Sequence, residues 1–299
     1  MPKGLIMKTI RFNLDNLPAK EEGLTLALGN FDGLHRGHQR LFVEASLSAS
    51  KEAGAMFFAS PFGKGPYLSS VADKCRYALS SRLDALYIFD NDERLYSFSA
   101  KEFIEKVLLP LGTKRVVVGE DFRYGHNREG GIELLKDYFD VEVVPLLEEK
   151  GQKISSTWIK ALLSEGKIEE ANELLGHSYE IAGNVSRGYQ NGVKIGYPTA
   201  NIIPTFPYVL PRNGVYCGVV YVLGKAYRAM INVGTNPTVG KLSKPIIEAH
   251  ILDYDEDCYD KTLYCAFLSF IREERKFSSL DELKAQLKKD EARIRDILI

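Results

Sequence analysis

The 299-residue sequence predicts two domains of different class, an α/β domain with a parallel sheet and then an all-β domain closed by one helix. Three observations predict this. Through about residue 175, apolar runs alternate with amphipathic helical patterns, which implies a parallel sheet with helices on both faces. After Gly176 come short runs rich in Val, Ile, Tyr and Thr, broken by Gly, Pro and Asn, the pattern of a small antiparallel barrel or sandwich. The length exceeds the commonest domain size and supports two cores, divided here as 1–176 and 177–299.

Taken in order, 25–28 reads as a buried strand, followed by a Gly-rich turn and a helix over 37–52. A strand at 55–59, a helix at 71–83 and a strand at 85–89 come next. A helix at 100–108 precedes a strand at 115–119, and a helix at 132–138 precedes a strand at 141–146. In the second domain the strands are read at 215–222, 227–233, 246–252 and 263–270. The last helix, 278–298, starts with Ser279 three residues before Glu282, a capping pattern.

The composition is that of a soluble globular chain, 45% hydrophobic and 26% charged, and a net charge of −1 gives no footing for nucleic acid or an anionic membrane. No apolar run approaches the ~20 residues that cross a bilayer, and 1–15 lacks the form of a signal peptide. Cys75, Cys217, Cys258 and Cys265 follow no zinc spacing and read as reduced thiols of a cytoplasmic protein.

The stretch G-N-F-D-G-L-H-R-G-H at 29–38 leaves the first strand and opens a helix. Gly29, Gly33 and Gly37 let backbone approach a ligand, and a helix start favours anions. His35 and His38 are placed to donate to phosphate oxygens and to steady a departing pyrophosphate. Alone, such a pair is more often a metal pair or two solvated histidines; the strand and glycines around it favour the phosphate reading. The dinucleotide fingerprint and Walker A are both absent. Phe122, Arg123 and Tyr124 suit a flat ring with a polar tail, while Ser155, Ser156 and Thr157 put three hydroxyls at a helix start, with Lys160 one turn on. Hydroxyls there also serve as plain N-caps.

In the second domain, 183–201 is dense in glycine (Gly183, Gly188, Gly196) and ends in Pro198, Thr199, Ala200 and Asn201. Thr199 and Asn201, two apart in an extended chain, point the same way and suit Mg²⁺ bound with ATP; a plain loop is the competing reading. Alternation on the 246–252 strand puts Glu248 and His250 on one face, where a carboxylate can accept a proton from an alcohol attacking a γ-phosphate. Asn232 and Gly234 belong to another turn after a strand. The acidic run 253–260 is no calcium loop, since Cys258 and Tyr264 stand where Gly and Glu are needed.

These motifs, with V-G-E-D-F-R-Y-G at 118–125, I-S-S-T-W-I-K at 154–160, G-Y-P-T-A-N-I at 196–202, N-V-G-T-N-P-T at 232–238 and E-A-H-I-L-D at 248–253, resemble the prokaryotic bifunctional riboflavin kinase/FAD synthetase family. The resemblance implies a Rossmann-like nucleotidyltransferase domain and a six-stranded riboflavin kinase barrel, acting on riboflavin, FMN and ATP with Mg²⁺. It implies that His35 and His38 hold ATP phosphates, with Gly29, Asn30, Phe31, Asp32, Gly33 and Gly37 around the nucleotide. Ser155, Ser156, Thr157 and Lys160 would close over the triphosphate, and Asp121, Phe122 and Tyr124 would meet the flavin. In the barrel, Gly183, Gly188, Gly196, Pro198, Thr199 and Asn201 would take Mg–ATP. Glu248 would be the base, with Asn232, Gly234, Arg272 and Phe277 toward the flavin. Two departures fall on substrate seating: 60–65 lacks the family's D-P-H-P-like segment, and Lys160 replaces the usual Arg. A kinase with a structural or regulatory first domain, or a non-catalytic flavin sensor, are the alternatives.

Overall fold

The computed structural model describes residues 7–49, 51–59, 65–90, 92–186, 195–236 and 244–297. It comprises two compact units, Met1–Lys64 with Ser69–Ser155, and Gly65–Leu68 with Ser156–Ile299.

In the first unit, β1 (Lys8–Phe12), β2 (Leu24–Leu28), β3 (Ala53–Phe58), β4 (Ala85–Phe89), β5 (Thr113–Gly119) and β6 (Asp140–Val144) form a sheet in the order β1-β4-β3-β2-β5-β6. Every neighbouring pair is parallel. The helices are α1 (Arg36–Ser48), α2 (Val71–Ala78), α3 (Ala100–Phe103, prolonged by a π-helical turn at Ile104–Leu108) and α4 (Ile132–Lys136). A short hairpin, β7 (Glu148–Glu149) and β8 (Gln152–Lys153), follows. Strands β2 and β4 are buried along their whole length, as strands covered on both faces must be. Leu24, Leu26 and Leu28 pack into one core layer and Ala27 into the other.

Two differences from the sequence reading have plain causes. The edge strand β1 buries only Phe12, so its Lys8, Thr9 and Arg11 hide the apolar signal. Helix α2 stops at Ala78, short of residue 83, where Ser80 and Ser81 hydrogen-bond to nearby backbone and compete with the helix.

The chain runs from β2 outward to β3 and β4, then crosses back to β5 on the other side of β2. The carboxyl ends of β2 and β5 therefore flank a topological switch point, the place where open α/β sheets bind ligands. The motifs at 29–38 and 118–125 leave these two adjacent strands.

In the second unit, α5 (Ser156–Glu165) and α6 (Ile168–Leu175) precede the strands β9 (Tyr179–Ser186), β10 (Ala200–Pro204), β11 (Gly214–Val222), β12 (Lys225–Asn236), β13 (Lys244–Ile251) and β14 (Thr262–Arg272). These close into a barrel in the order β10-β13-β12-β11-β14-β9, with every pair antiparallel. It is a barrel, then, and not a sandwich. Ile202, Ile231, Ile247 and Ala249 are fully buried on the inner face. Helices α5 and α6 pack with the barrel. Asn172 donates through Nδ2 to the Phe267 carbonyl at 2.8 Å and accepts from the Tyr179 N–H at 2.7 Å, while the Arg212 N–H donates to the Leu163 carbonyl at 2.9 Å.

The last helix, α7 (Leu280–Asp296), begins at Ser279, whose hydroxyl accepts from the Glu282 N–H. The Glu282 carboxylate accepts from Ser278 instead of closing a reciprocal box. Among the described residues, no helix is long and apolar enough to cross a membrane.

Candidate functional sites

The barrel site is built by strand register. Glu248 on β13 lies directly opposite Asn201 on β10 and Asn232 on β12. The row continues through Val215 on β11 to Arg272 on β14. Residues opposite one another in antiparallel strands share a face with Cβ atoms about 5 Å apart. The outer face of the barrel thus carries Asn201, Glu248 and Asn232 side by side, with Thr199 and His250 among the other residues lining the same cavity of about 400 Å³. Leu283 and Leu287 of α7 form its apolar wall.

His250 Nδ1 meets the Pro198 carbonyl at 2.7 Å and its ring packs 5.1 Å from Tyr197, so it fixes the segment that carries Thr199. Burial, and secondarily the charge of Glu274, push the Glu248 carboxyl above the ordinary glutamate range. Glu274 accepts at 3.4 Å from both Asn213 and Asn232. A Cβ at Gly234 would meet that carboxylate, the movable end of an exposed side chain. Arg272 is committed inside the fold: its Nε donates to the buried Asp290 at 2.8 Å, and its guanidinium lies 5.8 Å from the Phe277 ring centre. Arg275 stacks on that ring at 4.7 Å. Gly183 sits within β9, where a side chain would strike Ile202 and the Ile203 carbonyl. Gly196 adopts φ +82° in an exposed turn. Gly188 lies outside the described residues, as do 60–64 and the Pro237 and Thr238 end of the 232–238 motif.

The site of the first unit grows from the 29–33 turn. Phe31 has φ 51° and Leu34 φ 42°, a conformation side chains adopt reluctantly, and both are buried. The Phe31 ring packs edge-on against Phe42, Phe57 and His38, so its side chain anchors the turn. A Cβ at Gly29 would press on that ring, and one at Gly37 on the His35 ring. Asn30 is exposed. Asp32 is buried and accepts from the Ser69 N–H at 3.2 Å, while the Gly33 N–H donates to the Ser69 hydroxyl at 2.8 Å.

His35 occupies the N-cap of α1 without a side-chain cap bond, and its ring stacks on His38 at 3.6 Å. His38 is half-buried, and its Nδ1 is buried with no hydrogen-bond partner among the described residues. Burial, then the nearby His35, Lys74 and Lys153 charges, hold His38 well below the usual histidine range. It is therefore neutral at pH 7. The helix start thus offers N–H groups and the neutral His38 imidazole beside His35, a donor set for phosphate.

Asp121 is exposed at the end of β5 and pairs with Lys153 of β8. Phe122 and Tyr124 stack at 5.6 Å, but Tyr124 is buried against Phe103, and only Phe122 keeps an accessible face. Ser155 ends the first unit. Ser156 and Thr157 form the first turn of α5 in the second unit, and the Lys160 ammonium lies 5.5 Å over the Tyr67 ring.

A riboflavin kinase family model matches residues 175–298 and an FAD synthetase model matches 17–158. The bifunctional riboflavin kinase/FMN adenylyltransferase of Escherichia coli (strain K12) is 36% identical over 309 residues, which span 97% of each chain. The chain belongs to the bifunctional riboflavin kinase/FMN adenylyltransferase family. The family member from Bacillus subtilis (strain 168) is 33% identical, over 95% of this chain and 96% of its own. A crystal structure from Streptococcus pneumoniae, described as a macrolide-efflux protein, superposes with a TM-score of 0.88 at 32% identity, covering 98% of this chain and 100% of that one.

Against the family motifs, sequence reasoning overlooked Lys74, Glu274 and Asp290. Lys74 had a legible signal. With Val71, Cys75 and Ala78 it stands on the buried stripe of α2, where a cation is out of place. Glu274 and Asp290 carry no such signal, because both lie in stretches where acidic residues are common.

Proposed function

We propose that each unit houses one phosphate-transfer site and that the residues described above divide the two reactions between them. The protein is an enzyme of two-step flavin cofactor synthesis: it phosphorylates riboflavin to FMN and adenylylates FMN to FAD, both from ATP. Relatedness over nearly the whole chain favours this over a kinase alone or a flavin sensor.

In the kinase step Glu248 takes the proton of the ribityl 5′-hydroxyl as that oxygen attacks the γ-phosphate of ATP. The single observation that carries this reading is the row Asn201–Glu248–Asn232, which puts one carboxylate between two amides on a cavity wall. The oxygen donors Thr199 and Asn201 fit Mg²⁺, which binds through one or two protein oxygens and the phosphates of its nucleotide. When bound, it offsets phosphate charge. Phe277 and the apolar wall of α7 suit the flavin ring, with Asn232 at its polar edge.

In the adenylyl step the FMN phosphate is already an anion and needs no base. The 29–38 turn holds ATP, and His35 and His38 donate to the phosphates as pyrophosphate leaves. Asp121 and Phe122, at the neighbouring strand end, face the flavin. Along the sequence we divide the two catalytic modules as 1–176 and 177–299, while α5 and α6 pack with the barrel. A reducing compartment, the cytoplasm, suits the four free thiols. The test is an assay with riboflavin, ATP and Mg²⁺ that separates FMN from FAD by chromatography, repeated with FMN as the starting flavin. No FMN in the first arm removes the kinase reading; no FAD in the second removes the adenylyltransferase reading.

A further inference from the structure

We propose that Lys74 is a positioning residue of the adenylyl-transfer site, a buried cation on α2 that holds the Asn30 peptide in place beneath the nucleotide. The inference rests on the reading of the 29–38 turn as the ATP site.

Lysine is among the residues least often buried, yet Lys74 is only 2% exposed. Its ammonium donates to the Asn30 carbonyl at 2.7 Å and lies 5.2 Å over the Phe57 ring. The carboxylate of Asp32 faces it across the same turn, with Cys75 beside it on α2. Ser69, five residues earlier, binds that turn at Asp32 and Gly33. One short stretch of chain therefore grips Asn30, Asp32 and Gly33, and a reciprocal capping box between Ser70 and Asp73 fixes the start of the helix that carries it.

If this stretch only filled space, an apolar side chain would serve at position 74 without the desolvation cost of a charge. A cation has two effects that methionine lacks. It orients the Asn30 peptide through its carbonyl, and it places positive potential behind a turn whose outer side meets an anion, in surroundings that screen it weakly. Burial lowers the Lys74 ammonium to about 8, against the opposing pull of Asp32 and Cys75, so it remains charged at neutral pH. The same charge acts on His38, together with His35 at the helix cap and Lys153 of β8.

The test uses the full chain, because the barrel kinase reports on folding in the same molecule. Lys74→Met and Lys74→Arg are compared with wild type for FMN formed from riboflavin and for FAD formed from supplied FMN. His38 titration is followed by NMR of ¹³C-histidine-labelled protein, assigned with His38→Gln. Lys74→Met is expected to lower kcat for FAD at least tenfold, leave FMN formation unchanged and move His38 titration to higher pH. Lys74→Arg is expected to keep a third or more of the wild-type FAD rate. Wild-type FAD rates in Lys74→Met, equal losses in Met and Arg, or an unmoved His38 titration would each overturn the proposal. Failure of the wild type itself to make FAD from FMN removes the ATP-site reading, and the role of Lys74 falls with it.

Discussion

The two sites handle the same phosphates with different titratable groups. Around the 29–38 turn the ionisable groups are the buried Lys74, Asp32 and His35 and the half-buried His38, which is held neutral. The barrel cavity instead carries a half-buried carboxylate, Glu248, with the exposed Glu274 close enough to raise it, alongside Arg272 and Arg275. The nucleophiles explain the contrast. An alcohol must lose a proton to attack, so the kinase needs a base with an elevated affinity for that proton. A phosphate attacks as it is, so the other site needs only donors for the charge that builds on the leaving group. Two glycine turns that meet phosphate therefore need not share a chemistry; whether the site holds a base decides it.

That contrast is open to attack at several points. The largest effect expected is for Glu248→Gln: about a thousandfold loss of FMN formation, the range of a removed general base, with FAD formation from supplied FMN intact. Equal loss of both products would break the division of labour. Next, Asp290→Ala strands Arg272, whose side chain is 19% exposed against 3% for Asp290. Breaking such a pair costs about 3 kcal/mol, measured as a lower urea midpoint for the barrel unit. His38→Ala should cost about a hundredfold in FAD formation and leave FMN formation untouched, the converse of the glutamate variant.

The smallest effect sharpens the comparison most. Kinase activity requires ionised Glu248, so the rate falls as pH drops through its raised pKa. Glu274→Gln removes a like charge, lowers that pKa and moves the acid limb of the FMN-forming rate toward lower pH. The acid limb of FAD formation, governed elsewhere, should stay in place.

Much of this was legible in the sequence because the signals are local. The buried run of β2, the glycines that follow it, and the alternation that puts Glu248 opposite Ile247 and Ala249 in face all follow from backbone geometry over a few residues. The edge strand β1 was not legible, since one buried face at a sheet edge leaves mostly polar residues. Nor was the allegiance of α5 and α6, whose packing on the barrel depends on Asn172 reaching β9 and β14. Phe31, Tyr124 and Arg272 carry motif positions whose side chains serve the interior of the fold, which no spacing reveals.

By itself, then, the sequence determined the class of each domain and the residues that can handle phosphate, because hydrophobic period and turn chemistry act along the chain. Only the tertiary structure decided which of those residues meet. Register across β10, β13 and β12 set Glu248 between two amides, and burial of α2 carried Lys74 beneath the 29–33 turn. Both are contacts between segments far apart in the chain, fixed by packing that no local pattern encodes.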